Sequence, residues 1–334
     1  MPSLPAAFRA FVVDKPADGA FSRGVRDMDV RELPPGEVTV RVAWSSVNFK
    51  DGLAAREDGR VARAYPLVPG IDLAGTVVAS DDDAFEVGSE VLANGYDIGV
   101  ARHGGYAELA RIPAAWAVPM PTGLTAREAM EIGTAGFTAA MSVAALEERG
   151  LEPGTGPVLV TGASGGVGSA AIAILASRGH EVWAATGKAD EHDRLRDLGA
   201  SGFLARDEVT APGRPLERER WAGAVDTVGA ATLPYVLRTL RIGAAVASSG
   251  NASGAELATT VFPFILRGCA LLGMDSANMA IGRRRALWGR LAADLLPRGI
   301  ADGITEVTLD TLEPALDAIH AGRARGRWVV RVGG

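Results

Sequence analysis

Cysteine is almost missing from this 334-residue chain: the single Cys269 excludes an internal disulfide and any cysteine-rich zinc site. Histidine is nearly as scarce, and His103, His180, His192 and His320 are scattered without the spacing of metal ligands. Apolar runs such as AAIAILA stop well short of the roughly 20 residues that cross a bilayer. The opening MPSLPAAFRAFVVD lacks the apolar core of a secretory signal, so a cytoplasmic location and no membrane partner are expected. The net charge of −6 argues against a general affinity for nucleic acid, so any anionic ligand must be met by local positive groups. Lysine is confined to Lys15, Lys50 and Lys188 among 34 basic residues, a composition biased toward arginine. What is present, 48% hydrophobic and 22% charged residues, is ordinary for a soluble chain long enough for two domains.

Two textures follow one another. To about residue 120 short alternating runs are broken by Gly and Pro, as in EVTVRVAW, IDLAGTVVAS and YAELARIP, which reads as a mostly β unit. In the first of these Val38, Val40, Val42 and Trp44 share one face, and the strand then runs into a polar cluster, SSVNFKDG. From Thr125 the period turns helical, with Glu128 three residues on as in a capping box and Gly150 ending the run. GPVLVTGASGGVGSAAIAILASRGHEVWAATG then supplies strand, Gly-rich turn, helix and strand, and AGAVDTVG, GAAVASSG and CALLGMDS look like further strands between helices. The expected fold is α/β with a doubly wound parallel sheet, and the tail reads as a helix and a closing strand that could return to the first domain.

The strongest chemical signal is VLVTGASGGVGS. Gly162, Gly165, Gly166 and Gly168 follow a buried-type strand and open a helix; in G-x-G-x-x-G alignment Ala163 stands first, then Gly165 and Gly168. Backbone N–H groups of Ser164, Gly165, Gly166, Val167 and Gly168 and the helix N-terminus could approach a pyrophosphate. The second strand ends in Thr186, Gly187 and Lys188 where an NAD site would place Asp or Glu. A hydroxyl, an amide and an ammonium can donate to a 2'-phosphate that a carboxylate would repel, so NADPH is expected over NADH. Lys188 is otherwise a solvated loop charge, and Arg206 is either an adenine-side phosphate contact or a surface arginine.

SSVNFKDGLA, YPLVPGIDLAGTV, GGYAELARIP, IGTAGFTAA, VLVTGASGGVGSAAI and WAGAVDTVG together resemble a zinc-free medium-chain dehydrogenase/reductase. NFKDGLA, RAYPLVPGID and TTVFPFILRGCALLGMDS narrow the resemblance to a branch of acrylyl-CoA reductases and quinone oxidoreductases. The resemblance implies a GroES-like β-rich catalytic domain over 1–124, completed by 291–334, and a Rossmann NADPH-binding domain over 125–290. Zinc-dependent relatives carry Cys where this chain has Asn48 and a His-Glu pair where it has Ile71 and Asp72, so no metal is expected.

Without a Lewis acid, conjugate reduction fits better than alcohol oxidation. The resemblance implies hydride transfer from NADPH to the β-carbon of acrylyl-CoA, giving propanoyl-CoA. Asn48 is the first catalytic candidate, as a donor to the developing enolate, and Asp72 the second, positioning Asn48 or a water. Asp72 could equally be a carboxylate satisfied by loop amides. Phe49 would line the nicotinamide pocket, with Ile265 and Ser276 on a segment running near it; Lys50 and Asp51 are expected to form a loop-fixing ion pair. An acyl-CoA has phosphates of its own, for which Arg284, within GRRRALWGR, and Arg327 are candidates, although Arg283, Arg284 and Arg285 could also form a solvated face. The alternatives are an NADPH-dependent reductase of quinones or other enones, or a non-catalytic NADPH-binding protein. By resemblance, CALLGMDS pairs across a homodimer, although its apolarity also suits an interior strand.

Overall fold

The computed structural model describes residues 4–17 and 19–333. In chain order the strands and helices are β1 (Ala7–Asp14), β2 (Ser22–Asp29), β3 (Val38–Val47), α1 (Phe49–Ala54), β4 (Asp72–Ser80), β5 (Glu90–Asn94), β6 (Leu109–Ile112), β7 (Val118–Pro119), α2 (Ala126–Glu148), β8 (Val158–Thr161), α3 (Gly166–Ser177), β9 (Val182–Ala185), α4 (His192–Asp197), β10 (Ala200–Leu204), α5 (Arg206–Thr210), β11 (Trp221–Asp226), α6 (Thr232–Thr239), β12 (Leu240–Ser248), α7 (Phe262–Arg267), β13 (Ala270–Gly273), α8 (Ile281–Leu291), β14 (Ile304–Thr308), α9 (Leu312–His320) and β15 (Arg327–Arg331). Two compact units result. One holds the described residues of Met1–Thr134, Ala277–Ala292 and Ile304–Gly334, the other Ala135–Ser276 and Ala293–Gly303.

The first unit contains the β1–β2 hairpin and a sheet ordered β14-β15-β3-β4-β5-β7, with β6 also paired to β3. Along β3 the alternation puts Val38, Val40 and Val42 fully out of water, and a register shift against β4 between Val42 and Trp44 then changes the phase. Trp44 therefore leaves the valine stripe and takes the Arg127 guanidinium over its ring at 5.3 Å, while Ser45, Ser46 and Val47 are all buried. The strand thus carries hydroxyl groups into the interior. The tail returns as β15, antiparallel to β3 with Trp328 opposite Val47, which brings Arg327 level with Asn48.

Thr125 and Glu128 cap α2 reciprocally, the Thr125 N–H donating to Oε2 of Glu128 at 2.9 Å and the Glu128 N–H to Oγ1 of Thr125 at 3.2 Å. The run to Glu148 is not one helix, because Gly133 breaks it at φ 50° and ψ −163°. By length and composition α2 could cross a membrane, but 78% of its apolar window is buried inside the protein.

The second unit is a six-stranded sheet, parallel throughout, ordered β10-β9-β8-β11-β12-β13. Leu159, Trp221, Val236, Leu240 and Val246 form its core, and α3 buries Ile172, Ile174 and Leu175. Strand order reverses beside β8, where open α/β sheets bind ligands at their C-terminal ends.

The expected division into 1–124 with 291–334 and 125–290 differs from these units in three places, one of them Ala293–Gly303, which falls in the second unit and not the first. The start of α2 belongs to the first unit because Arg327 donates to the carbonyl of Glu131 at 3.0 Å. Helix α8 belongs there because Trp288 donates from Nε1 to Oδ1 of Asn94 at 3.1 Å and Arg284 lies 4.4 Å over the Tyr96 ring.

Candidate active site

In the first unit the polar end of β3 converges on Asp72, the first residue of β4 and fully buried. Oδ2 of Asp72 accepts from Nδ2 of Asn48 at 2.8 Å and from the Thr134 N–H at 2.9 Å, and also from Oγ of Ser46. Its Oδ1 accepts from Oγ1 of Thr134. The Thr134 N–H is available because Gly133 has left the helix; a Cβ at Gly133 would run into Arg327, Ser46 and Asp72. Asp51, also fully buried, accepts from the Asn48 backbone at 2.9 Å and side chain at 3.1 Å, and its other oxygen accepts from the Ile71 N–H at 2.9 Å. Arg327, only 3% exposed, donates to Oδ1 of Asn48 at 3.2 Å and to the carbonyls of Glu131, Val47 and Met130.

Two carboxylates therefore share one amide and face one guanidinium. Burial first, and the neighbouring Asp72 charge second, push the Asp51 carboxyl up to about 7. Burial pulls the Arg327 guanidinium down while Asp72 and Asp51 oppose it. Tyr106 closes the cluster, its hydroxyl donating to the Ser46 carbonyl at 3.0 Å.

Several expectations change. Asn48 and Asp72 do meet, but the amide hydrogens of Asn48 point at Asp72 and Asp51, so they are not directed at an enolate. Lys50 is exposed and, among the described residues, forms no ion pair with Asp51, whose oxygens are taken by backbone and Asn48 donors. Arg327 is spent on protein carbonyls and Asn48, not on a substrate phosphate. Arg284 is neither solvated nor offered to a ligand: it is fully buried, donates to the Ala277 carbonyl at 3.0 Å and lies over Tyr96. Phe49 is 44% exposed and stacks on His320 with centroids 6.1 Å apart.

The second unit holds the Gly-rich turn. Gly162 has φ +59°, the Gly165 N–H donates to its carbonyl at 3.0 Å, and α3 starts at Gly166 with Val167 and Gly168 behind it. A Cβ at Gly168 would collide with the Gly162 carbonyl, so the turn closes only with glycine there. Ser164 accepts from Oγ1 of Thr186 at 3.2 Å, and the Lys188 N–H donates to that same Oγ1 at 3.1 Å. The Arg206 guanidinium lies against Gly187, where a Cβ would be 3.1 Å from Nε. These five residues thus gather at the ends of β8 and β9, in a cradle that fits a phosphorylated dinucleotide. Ser276 accepts from Oγ1 of Thr138 at 2.9 Å, and Ile265, on α7, is 67% exposed.

Sequence reasoning missed Arg194, which reaches from α4 to the Ser164 carbonyl at 3.3 Å while paired with the buried Glu191 at 2.7 Å. Its only trace in the sequence is the i,i+3 spacing of Glu191 and Arg194. Ser46 and Thr134 were missed as well; the Gly133 interruption of a helical period pointed to the second.

Residues 34–122 match the family described as alcohol dehydrogenase GroES-like domain, and residues 166–292 the one described as zinc-binding dehydrogenase. Among the described residues no group of three or more His, Cys, Asp or Glu could hold a metal ion. The chain is 49% identical to acrylyl-CoA reductase AcuI of Ruegeria pomeroyi, over 97% of this chain and 99% of that protein. It is 46% identical to the yhdH oxidoreductase of Salmonella enterica, solved with NADP, at a TM-score of 0.94 over 97% of this chain and 100% of that one. The quinone oxidoreductase YhfP of Bacillus subtilis, solved with NAD, is 44% identical at a TM-score of 0.95, over 98% of this chain and 100% of that one.

The folded protein holds the Asp51 proton more tightly than an unfolded chain, whose Asp titrates near 4, so this stability is full below about pH 4 and lost as pH rises through about 7. In urea titrations the unfolding free energy of the wild type minus that of Asp51→Asn should fall across this window, by a total on the order of 4 kcal/mol. A difference that stays flat would show that Asp51 is ionised throughout.

Proposed function

The chain belongs to the medium-chain dehydrogenase/reductase family, and on that footing we propose that it reduces the α,β-double bond of acrylyl-CoA with NADPH, yielding propanoyl-CoA. Similarity running end to end with the Ruegeria acrylyl-CoA reductase, at 49% identity, carries this reading. NADPH supplies the hydride that reaches the β-carbon; negative charge then develops on the thioester oxygen and the α-carbon takes a proton. The Gly165 to Gly168 turn and the start of α3 hold the pyrophosphate. Ser164, Thr186, Gly187, Lys188 and Arg206 meet the 2'-phosphate with hydroxyl, amide and cationic donors, where a carboxylate would repel it. Within the second unit, Ile265 and Ser276 border the nicotinamide. Asp72 orients Asn48, and the two form the polar centre of the site; Asn48 acts by position, since its hydrogens are already engaged.

A second reading, reduction of quinones or other enones, draws support from the 44% identity with YhfP. The protein is further proposed to work in the cytoplasm on small molecules, with neither nucleic acid nor membrane as partner. It is proposed to do so as a homodimer through β13. That strand ends its sheet with Leu271 36% exposed, close in sequence to Val261, Ile265 and Leu266, which are each at least 60% exposed.

NADPH oxidation by the wild type should be fastest with acrylyl-CoA, slower with crotonyl-CoA and slowest with a naphthoquinone; quinone turnover without thioester turnover would favour the second reading. Arg206→Ala should raise the KM for NADPH about tenfold and leave that for NADH within about twofold, since one charge-assisted contact to the 2'-phosphate is lost. Light scattering should give twice 34.5 kDa for the wild type and the single mass for Leu271→Lys, whose buried charge opposes pairing. A monomeric wild type would end the dimer assignment.

A further inference from the structure

We propose that Thr134 is a catalytic residue: its hydroxyl touches the bound enoyl thioester and relays a proton from the Asp51–Asp72 carboxylate pair to the α-carbon. This rests on the enoyl-thioester reading and deepens it, because that reaction needs a proton donor and Asn48 and Phe49 do not supply one.

Exposure selects Thr134. Ser46, Asp51, Asp72, Asn94 and Tyr106 are fully buried, Arg327 is 3% exposed and Asn48 7%. Thr134 alone among the polar members of the cluster is half-buried. Its hydroxyl is bound directly to Oδ1 of the sealed Asp72 and lies 3.5 Å from Nδ2 of Asn94, whose own carbonyl is held by Trp288. The backbone break at Gly133 turns both the Thr134 N–H and Oγ1 toward Asp72, one to each oxygen. A carboxylate with no route to solvent thus has a hydroxyl at the edge of the cluster.

The pair can hold the proton that the relay needs. Two buried carboxylates that share the Asn48 amide oppose one guanidinium, so one proton on the pair brings the buried charge to balance. With that proton on Oδ1 of Asp72, the hydrogen bond to Thr134 runs in the opposite sense. Hydride delivered to the β-carbon moves the π electrons onto the thioester as an enolate. The Oγ1–H bond of Thr134 breaks as the Cα–H bond forms, and the Asp72 proton passes to Oγ1. Asp72 is left anionic, and the pair regains a proton from solvent.

Wild type, Thr134→Val and Thr134→Ser would be compared for NADPH oxidation with acrylyl-CoA and crotonyl-CoA in H2O and D2O, with NADPH affinity followed by fluorescence. Thr134→Val should lower kcat about 10²-fold or more, leave KM within about threefold and leave NADPH affinity unchanged, while Thr134→Ser recovers to within about tenfold of wild type. The solvent isotope effect on kcat should rise in Thr134→Ser, where the realigned hydroxyl makes proton transfer limiting. If Thr134→Val does not fold, Thr134→Ala takes its place with the same expected loss. Turnover by either hydroxyl-free variant within about threefold of wild type overturns the relay, as does a Thr134→Ser defect equal to theirs. A wild type that binds NADPH but reduces neither thioester instead overturns the enoyl-thioester reading, and the relay with it.

Discussion

Asp72 is a carboxylate with no access to water, and much of the first unit can be understood as the means of satisfying it. Stripping an ionised carboxylate of solvent costs several kcal/mol unless fixed donors replace the water. Here they come from three separate places: Ser46 on β3, Asn48 just beyond it, and Thr134 with both its N–H and its hydroxyl. Each explains an irregularity. The register shift in β3 accompanies the burial of Ser46, the φ of +50° at Gly133 frees the Thr134 amide, and the return of the tail as β15 supplies the guanidinium. Adding a methyl at Gly133 or removing Arg327 would therefore disturb the same point from opposite sides.

The second unit repeats the device in its own sheet. Asp226, fully buried at the end of β11, accepts from Oγ1 of Thr161 at 2.6 Å and from the Gly229 N–H at 3.0 Å. Thr227 donates its hydroxyl back to the Thr161 carbonyl at 3.0 Å. The turns after β8 and β11 are thereby tied together where the strand order reverses, next to Gly162, whose missing Cβ leaves room for the Thr227 hydroxyl. Burial pushes the Asp226 carboxyl up, against the hydrogen bonds that pull it down, Thr161 first among them. A rigid turn is what a phosphate cradle needs, since backbone donors bind an anion well only if they do not have to reorganise.

Much of this was legible in the sequence because it follows from local rules. The Gly-rich turn after a buried strand, the Thr125–Glu128 cap and the missing carboxylate after β9 are each set by residues within a few positions of one another. The polar end of β3 was legible as an anomaly, and Asn48 with Asp72 was rightly paired. What could not be read depends on residues far apart in the chain. Arg327 meets Asn48 across 279 positions, and the burial of Arg284 comes from Tyr96, so an arginine that reads as solvated or ligand-facing becomes internal. The Lys50–Asp51 pairing failed for the same reason. Adjacent residues on a helix do not face one another, and the amides of Gly70 and Ile71 arrive from elsewhere to claim Asp51.

The charge balance of the cluster also says which part of a conjugate reduction it can serve. With Asp51 and Asp72 both ionised against Arg327, the buried charge is negative, and it would raise the energy of an enolate forming beside it. With one proton shared between the carboxylates the balance is neutral and that repulsion is gone. Charge can then develop on the thioester only while the proton is held nearby, and transfer of that proton returns the negative charge to the protein as the product becomes neutral. Such a site is poorly suited to stabilising a free oxyanion and well suited to quenching one. In the proposed relay, hydride arrival and protonation would thereby be coupled electrostatically.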